Sequence, residues 1–460
     1  MTAIYKLIFL TFLFCISNIE CLNLGDAQNF ICNTLINGLP YTYENYFNST
    51  VRAAITQQSL QTTIDDIRDA IGPCQTIKNV SISIPNITTN FYSQTGDYAT
   101  IIFSLDWTGL LSSLVITGVN FPSVVVKTWS DAVTYASKIN GDVSITIYSD
   151  NYTKNSVNLQ GDVTHPLGSA FKLYILGQLV DMSKTDTQFW TKTIPIQDTL
   201  KSLPTGIMQN YPNGQLYSIK EFASNMIKIS DNTATDHLLQ YAGRTKVESQ
   251  LTIMSNSNVS LNQPFLFTSE MFKIKWASTI AQIQQYINSS IADKRTMLTD
   301  VISPIPLSQV GSNGLSLTTP NYINDIEWFG TTNCLCKAMM SLKNKGSQEA
   351  LDILGLNTPN LVVGSTSIWE YGGYKGGSEP GVFTMTYILK SKNNEWGCVS
   401  IAVRNTTKNI STLLIINFSK LLLKLSESII TNGNVVIAGA KILNIFDNLL
   451  LFALLVSLLI

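Results

Sequence analysis

His165-Pro166-Leu167-Gly168-Ser169-Ala170-Phe171-Lys172-Leu173-Tyr174-Ile175-Leu176 is the stretch from which the rest of the chain is read. Pro166 and Gly168 end whatever precedes. From Ser169 the apolar residues recur at helical spacing, which predicts a helix running to about Met182. Ser169 and Lys172 then stand at i and i+3, on one face of the first turn. A serine hydroxyl alone is a poor nucleophile near neutral pH, but a buried lysine of lowered pKa beside it can take its proton. The start of a helix adds free backbone N–H groups where negative charge would develop. No other lysine in the chain follows a serine at this spacing.

The 460 residues suggest two or three domains at about 150 residues each. Hydrophobic residues make up 45%, enough for packed cores. A net charge of −1 gives no reason to expect nucleic acid as a partner. The only histidines are His165 and His237, so a Ser-His-Asp triad has little material and both read as structural. Cys334-Leu335-Cys336 has no second ligand pair, so it is not a zinc signature. No metal and no cofactor is expected.

The ends of the chain speak to its address. Lys6 and the apolar run Leu7 to Cys15 read as a signal peptide over residues 1–21, with cleavage after Ser17 or Cys21. Asn-x-Ser/Thr sites at Asn48, Asn79, Asn86, Asn151, Asn258, Asn288, Asn405, Asn409 and Asn417 agree with a secretory route. Cys32 and Cys74 flank one helical segment and can pair; either Cys334 or Cys336 can bond to Cys398. Residues 431–460 end in an apolar run, Leu449 to Ile460, too short to span a bilayer. Small residues Ala438-Gly439-Ala440 and a mixed spacer precede it, the pattern of a removable lipid-anchor signal. A tail-anchoring helix from Val435 to Ile460 is the rival, against which stand Lys441 and Asp447. The expectation is an extracellular or cell-surface glycoprotein, held to the membrane by a lipid anchor or this tail.

In between, residues 22–122 read as a small α+β domain. A helix over Thr62–Ile71 is stopped by Gly72-Pro73, and strands are predicted at Asn79–Ile84, Tyr98–Asp106 and Leu111–Val119. Residues 127–430 follow as a larger domain. Helices are predicted over Ser130–Lys138, Leu216–Ile229, Thr268–Ala281, Phe329–Lys343, Gln348–Leu354 and Thr412–Ser428. Strands are predicted over Gly141–Tyr148, Ser367–Tyr371, Val382–Leu389 and Trp396–Arg404.

Two further elements join Ser169 and Lys172. Ser230-Asp231-Asn232 opens a helical stretch, where polar side chains also serve as plain caps. Lys375-Gly376-Gly377-Ser378 lies in a glycine-rich run before a strand. Such a run is either a hairpin turn or a backbone edge that a substrate can approach closely, with Lys375 drawing in a carboxylate.

In this order, Ser-x-x-Lys, Ser-Asp-Asn and Lys-Gly-Gly resemble the motif set of class A β-lactamases and penicillin-binding proteins. The small domain is similar to nuclear transport factor 2 or ketosteroid isomerase. The resemblance implies a β-lactamase/transpeptidase-like fold: an antiparallel sheet flanked by helices, beside an all-helical lobe. It implies that Ser169 attacks a carbonyl, Lys172 takes its proton and Ser230 relays protons to the leaving nitrogen. Asn232 holds substrate and lysine, Lys375 and Gly377 line the substrate site, and Ser169 and Ser378 N–H groups form the oxyanion hole. The substrate class implied is a β-lactam or related amide or ester. The chain departs from the pattern twice. The hydroxyl usual after the third-element lysine is replaced by Gly376, and no Glu-x-x-Leu-Asn loop supplies a deacylating base, Glu270 being the nearest candidate. A weakly active or inactive surface glycoprotein using this fold for binding is the alternative.

Overall fold

The structure, a computed structural model, describes residues 24–432 except 84, 122–125, 151–155 and 204. The leader at 1–21, the sequon at Asn151 and the terminal run from 433 lie outside the described residues. Those described fall into two units, one of residues 24–121 with 411–417 and one of residues 126–410 with 418–432.

In the first unit, helices α1 (Leu24–Asn37), α2 (Ser49–Ala54) and α3 (Gln57–Ile71) precede an antiparallel sheet in sequential order. Its strands are β1 (Cys74–Ser83), β2 (Asn86–Ser93), β3 (Tyr98–Leu105) and β4 (Leu111–Asn120). Leu60, Ile64, Ile67 and Ile71 make one buried stripe along α3. They meet Phe30, Phe91, Ile101 and Phe103 in the core. The helix starts five residues before the expected one because Thr56 caps it, accepting from Ser59 N at 3.1 Å. Strand β2 was not expected. Its inward positions are Ile87, Thr89, Phe91 and Ser93, and the two hydroxyls dilute the alternation. Thr89 is buried all the same, accepting from Gln28 Nε2 at 3.0 Å. A disulfide joins Cys32 to Cys74.

The second unit is built on a five-stranded antiparallel sheet whose strands lie side by side in the order Trp369–Glu379, Val382–Ser391, Trp396–Arg404, Asp142–Ser149 and Val157–Leu159. Its elements begin with α4 (Trp129–Ala136), β5 (Asp142–Ser149), β6 (Val157–Leu159) and β7 (His165–Pro166). After the Ser169 turn come α5 (Lys172–Ser183), β8 (Thr193–Pro195), β9 (Leu216–Ser218) and α6 (Ile219–Lys228). Then follow α7 (Asn232–Ala242), α8 (Arg244–Ile253), α9 (Thr268–Trp276), α10 (Ile280–Asn288) and α11 (Ile291–Met297). The chain returns to the sheet through β10 (Phe329–Gly330), α12 (Thr332–Asn344), α13 (Gln348–Leu354), β11 (Trp369–Glu379), β12 (Val382–Ser391) and β13 (Trp396–Arg404). Of helix α14 (Thr412–Asn432), the part from Phe418 on closes it. Cys398 faces α12, to which it is disulfide-bonded through Cys336, while Cys334 is a buried free thiol. On the opposite sheet face, Gly397 lies against Ile430 of α14. The helical lobe buries Phe222, Met226, Leu238, Leu239, Val247 and Leu251 together.

Several expected boundaries shift for local reasons. Leu216–Ser218 pairs with Thr193–Pro195 instead of opening a helix, and Ser218 then caps α6. The single helix expected over Thr268–Ala281 ends at Trp276, and Thr279 caps the next one with Gln282 in a capping box. Phe329-Gly330 pairs with His165-Pro166, and Thr331 caps α12 after it. The glycine-rich run around Lys375 is strand throughout: β11 stays in register with β12 to Glu379, and the turn falls at Pro380-Gly381, where Gly381 has φ +78°.

Candidate active site

Gly168–Phe171 is a tight 3-10 turn that feeds directly into α5. Its position is fixed from both sides. Leu167 N donates to Trp328 O at 2.8 Å, and Leu167 O accepts from Thr384 Oγ1 at 2.7 Å. Phe171 stacks on Trp328 with ring centres 3.6 Å apart. Ser169 is left partly exposed, whereas Lys172, one turn on, is fully buried.

Lys172 Nζ has three oxygen partners: Ser230 O at 2.6 Å, Asn232 Oδ1 at 2.8 Å and Ser230 Oγ at 3.1 Å. Two of these, the carbonyl and amide oxygens, take the two N–H bonds of a neutral amine, and the Ser230 hydroxyl can donate to its lone pair. Burial, then the neighbouring Lys375, hold its pKa well below the ordinary lysine range; Asp231 and Asp236 oppose this only in part. Lys375 is also buried, and burial lowers it to about 7. It donates to Gly376 O at 2.6 Å and to Ser230 Oγ at 3.1 Å. One hydroxyl thus touches both lysines. Ser230 has φ +58°, a left-handed conformation that costs a non-glycine residue roughly 1–3 kcal/mol.

What holds Ser230 there is the start of α7. Asp231 is fully buried and accepts from Ala234 N at 2.8 Å, Ile207 N at 2.7 Å and Met208 N at 2.9 Å. Thr205 Oγ1 donates to Ser230 O at 2.7 Å, and Asn232 Nδ2 donates to Leu203 O at 3.2 Å. Asp236, one turn along α7, accepts from Thr268 N at 2.7 Å and Ser269 N at 3.0 Å. Its burial lifts the carboxyl pKa to about 6. Sequence reasoning assigned Asp236 no part, because both of its partners lie some thirty residues away.

Strand β11 is the edge of its sheet. Lys375, Gly377 and Glu379 share one face of it. That face meets the Ser169 turn so closely that a Cβ on Gly377 would stand 2.3 Å from both Leu167 O and Ser169 N. A Cβ on Gly168, which has φ +48°, would stand 2.9 Å from Ser378 N. The glycine-on-glycine contact therefore brings the Ser169 and Ser378 backbone nitrogens near one another where turn and strand meet.

The structure thus brings together Ser169, Lys172, Ser230, Asn232, Lys375, Gly377 and Ser378. Glu270 is engaged elsewhere: Arg244 donates to its two oxygens at 2.6 and 3.0 Å, and Phe267 N donates at 2.8 Å. The histidines are structural. His237 accepts from Gln197 N and bonds Thr233 O, each at 2.8 Å, and His165 meets Ser144 Oγ at 2.8 Å. No group of three metal-ligating side chains occurs among the described residues.

Residues 128–303 match the model of the Beta-lactamase enzyme family. The match takes in Ser169, Lys172, Ser230, Asn232 and Glu270, and stops short of Lys375. With the sheet and helical lobe described above, the fold is that of the β-lactamases and transpeptidases. Among solved structures the chain is similar to PBP-A (16% identity, 65% of this chain and 96% of that one, TM-score 0.44). It is also similar to a β-lactamase from Sphaerobacter thermophilus DSM 20745 (17%, 65% and 96%, 0.45) and to one from Francisella tularensis (14%, 65% and 98%, 0.42). No curated protein matches the chain in sequence.

Proposed function

We propose that this chain is a serine hydrolase of the class A β-lactamase or penicillin-binding type, acylated at Ser169 by a β-lactam or a related amide or ester. The observation that carries the reading is Ser230 Oγ, 3.1 Å from the amine nitrogens of both Lys172 and Lys375. Ser169 Oγ attacks the carbonyl carbon and its proton passes to Lys172, which its lowered pKa leaves able to accept. The oxyanion is met by the Ser169 and Ser378 N–H groups. As the C–N bond breaks, the proton moves from Lys172 through Ser230 to the leaving nitrogen. Lys375 faces a substrate carboxylate, and Asn232 orients Lys172 and the substrate.

The test is covalent labelling. A fluorescent penicillin or a fluorophosphonate should mark the wild type and fail on Ser169→Ala. A wild type labelled by neither reagent would favour a fold kept for binding.

The reading extends to the address: a secreted, glycosylated protein held at the cell surface by a lipid anchor. The disulfides Cys32–Cys74 and Cys336–Cys398 support an oxidising compartment. Among the described residues no helix is long and apolar enough to cross a membrane. Release from cells by a phosphatidylinositol-specific phospholipase checks the anchor; retention would favour the hydrophobic tail. For residues 22–122, α1 and α3 with a four-stranded antiparallel sheet support a nuclear-transport-factor-2-like module.

A further inference from the structure

Beyond the Ser169 site, the second unit buries a lysine between two glutamates. Lys275, in α9, donates to Glu379 Oε1 at 2.7 Å and to Glu327 Oε1 at 3.2 Å. The Lys275 side chain is fully shielded from solvent, that of Glu327 is 1% exposed and that of Glu379 11%. Nothing in the acylation chemistry uses them. Taking three ionisable groups out of water is costly, and a hydrophobic cluster of the same volume would stabilise the fold as well or better.

Their places in the chain suggest what the cluster does. Glu379 is the residue after Ser378 and the last of β11, a strand with a partner on one side only. It also lies on the β11 face that meets the Ser169 turn. Glu327 precedes Trp328, whose N–H donates to Glu327 Oε2 at 3.1 Å. Trp328 in turn braces the turn through Leu167 N and through the stack on Phe171. Each glutamate is therefore one residue from a group that sets the position of one oxyanion donor: Ser378 itself, or the Trp328 carbonyl that holds Leu167, two residues before Ser169.

We propose that Lys275, by bridging Glu327 and Glu379, is a positioning residue that fixes the separation of the Ser169 and Ser378 amides, and so the geometry of the oxyanion hole. A hairpin end held by β12 alone would be free to splay away from the turn. The ammonium removes that freedom by tying both segments to the end of α9. Burial and the neighbouring Glu327 keep the Glu379 carboxyl well above the ordinary glutamate range.

This inference rests on acylation of Ser169, and the experiment separates the two. Wild type, Glu379→Ala, Glu379→Gln and Lys275→Met are mixed with a penicillin. Acylation rate is followed by intact mass, and the acyl-enzyme ester carbonyl by difference infrared spectroscopy. Glu379→Ala leaves Lys275 and Glu327 as a one-to-one pair and is the milder lesion; Lys275→Met cuts the same bridge from the other end. Losing one oxyanion donor costs about 10²–10³-fold, so a misplaced one should slow acylation about tenfold or more. The carbonyl band should move to higher frequency as the hole polarises it less. Glu379→Gln, which still accepts from Lys275, should restore both rate and band. Wild-type rate and an unmoved band in Glu379→Ala would overturn the inference while leaving the serine-hydrolase reading intact. So would a Glu379→Gln variant as slow as Glu379→Ala. Absence of any wild-type adduct would overturn both.

Discussion

Gly377 has no room for a side chain because of Ser169: a Cβ there would stand 2.3 Å from the Ser169 backbone nitrogen. Backbone on both sides makes this contact rigid, since no flexible side chain can swing away. Gly377→Ala should therefore part the turn from β11. We expect labelling at Ser169 to fall about 10²–10³-fold, the cost of an oxyanion donor. Overpacking should lower stability by about 1–3 kcal/mol. Gly376 supplies a different control, because a Cβ there meets the Tyr374 ring and Thr384 O rather than the nucleophile turn. Equal acylation by Gly377→Ala and wild type would contradict the glycine contact as the device that forms the hole.

Lys375 predicts opposite effects on stability and on function. Its folded pKa of about 7 lies below the ordinary 10.5, so between those values the unfolded chain binds the proton and the folded chain does not. Stability should therefore rise with pH across that window, and the full penalty of burying the charge should be felt below about 7. Lys375→Met should raise the melting temperature at pH 6 by on the order of several degrees. The gain should vanish as pH approaches 10.5. A constant difference across that range, measured by thermal scans, would mean that Lys375 keeps its ordinary pKa.

The same titration sets substrate preference. A protonated Lys375 attracts a carboxylate, and a neutral one does not. For a carboxylate-bearing substrate, kcat/KM relative to a neutral ester should fall as pH rises through about 7. In Lys375→Ala the ratio should be low at every pH. A ratio independent of pH in the wild type would show that the carboxylate is read elsewhere.

The candidate site was legible as a cluster because its members are declared locally. Ser169 with Lys172, and Ser230 with Asn232, are each set by spacing within a single turn, and Lys375 is marked by the glycines around it. The fold was legible where apolar period and caps agree, as at Gln348–Leu354 and Trp396–Arg404, whose observed bounds are those expected. It was not legible where a polar residue is buried by a distant partner. Thr89 hides β2, and Lys275 meets its glutamates at separations of 52 and 104 residues. No window of sequence carries such pairs. The run Tyr371–Gly377 was open to a turn reading because its glycines signal flexibility. In the fold they are strand residues kept small by what lies against them.

The last prediction concerns the fate of the acyl-enzyme. Ser169, Lys172 and Ser230 provide for attack and for protonation of the leaving group, but hydrolysis of the ester needs a base that positions water. Glu270 was the nearest sequence candidate, and its carboxylate is taken up by Arg244 and Phe267 N. Lacking a general base typically costs about 10²–10⁴-fold in the step it serves, roughly 3–5 kcal/mol of barrier. With a β-lactam we therefore expect a burst of one equivalent followed by slow release. Ser169→Ala should abolish the burst. Glu270→Gln should lower stability by about 2 kcal/mol through the weakened Arg244 pair, while the release rate stays as it was. Intact-mass time courses with a penicillin, alongside thermal melting, separate these effects. Fast multiple turnover that is lost in Glu270→Gln would make Glu270 the base, and would require its pair with Arg244 to open during the reaction.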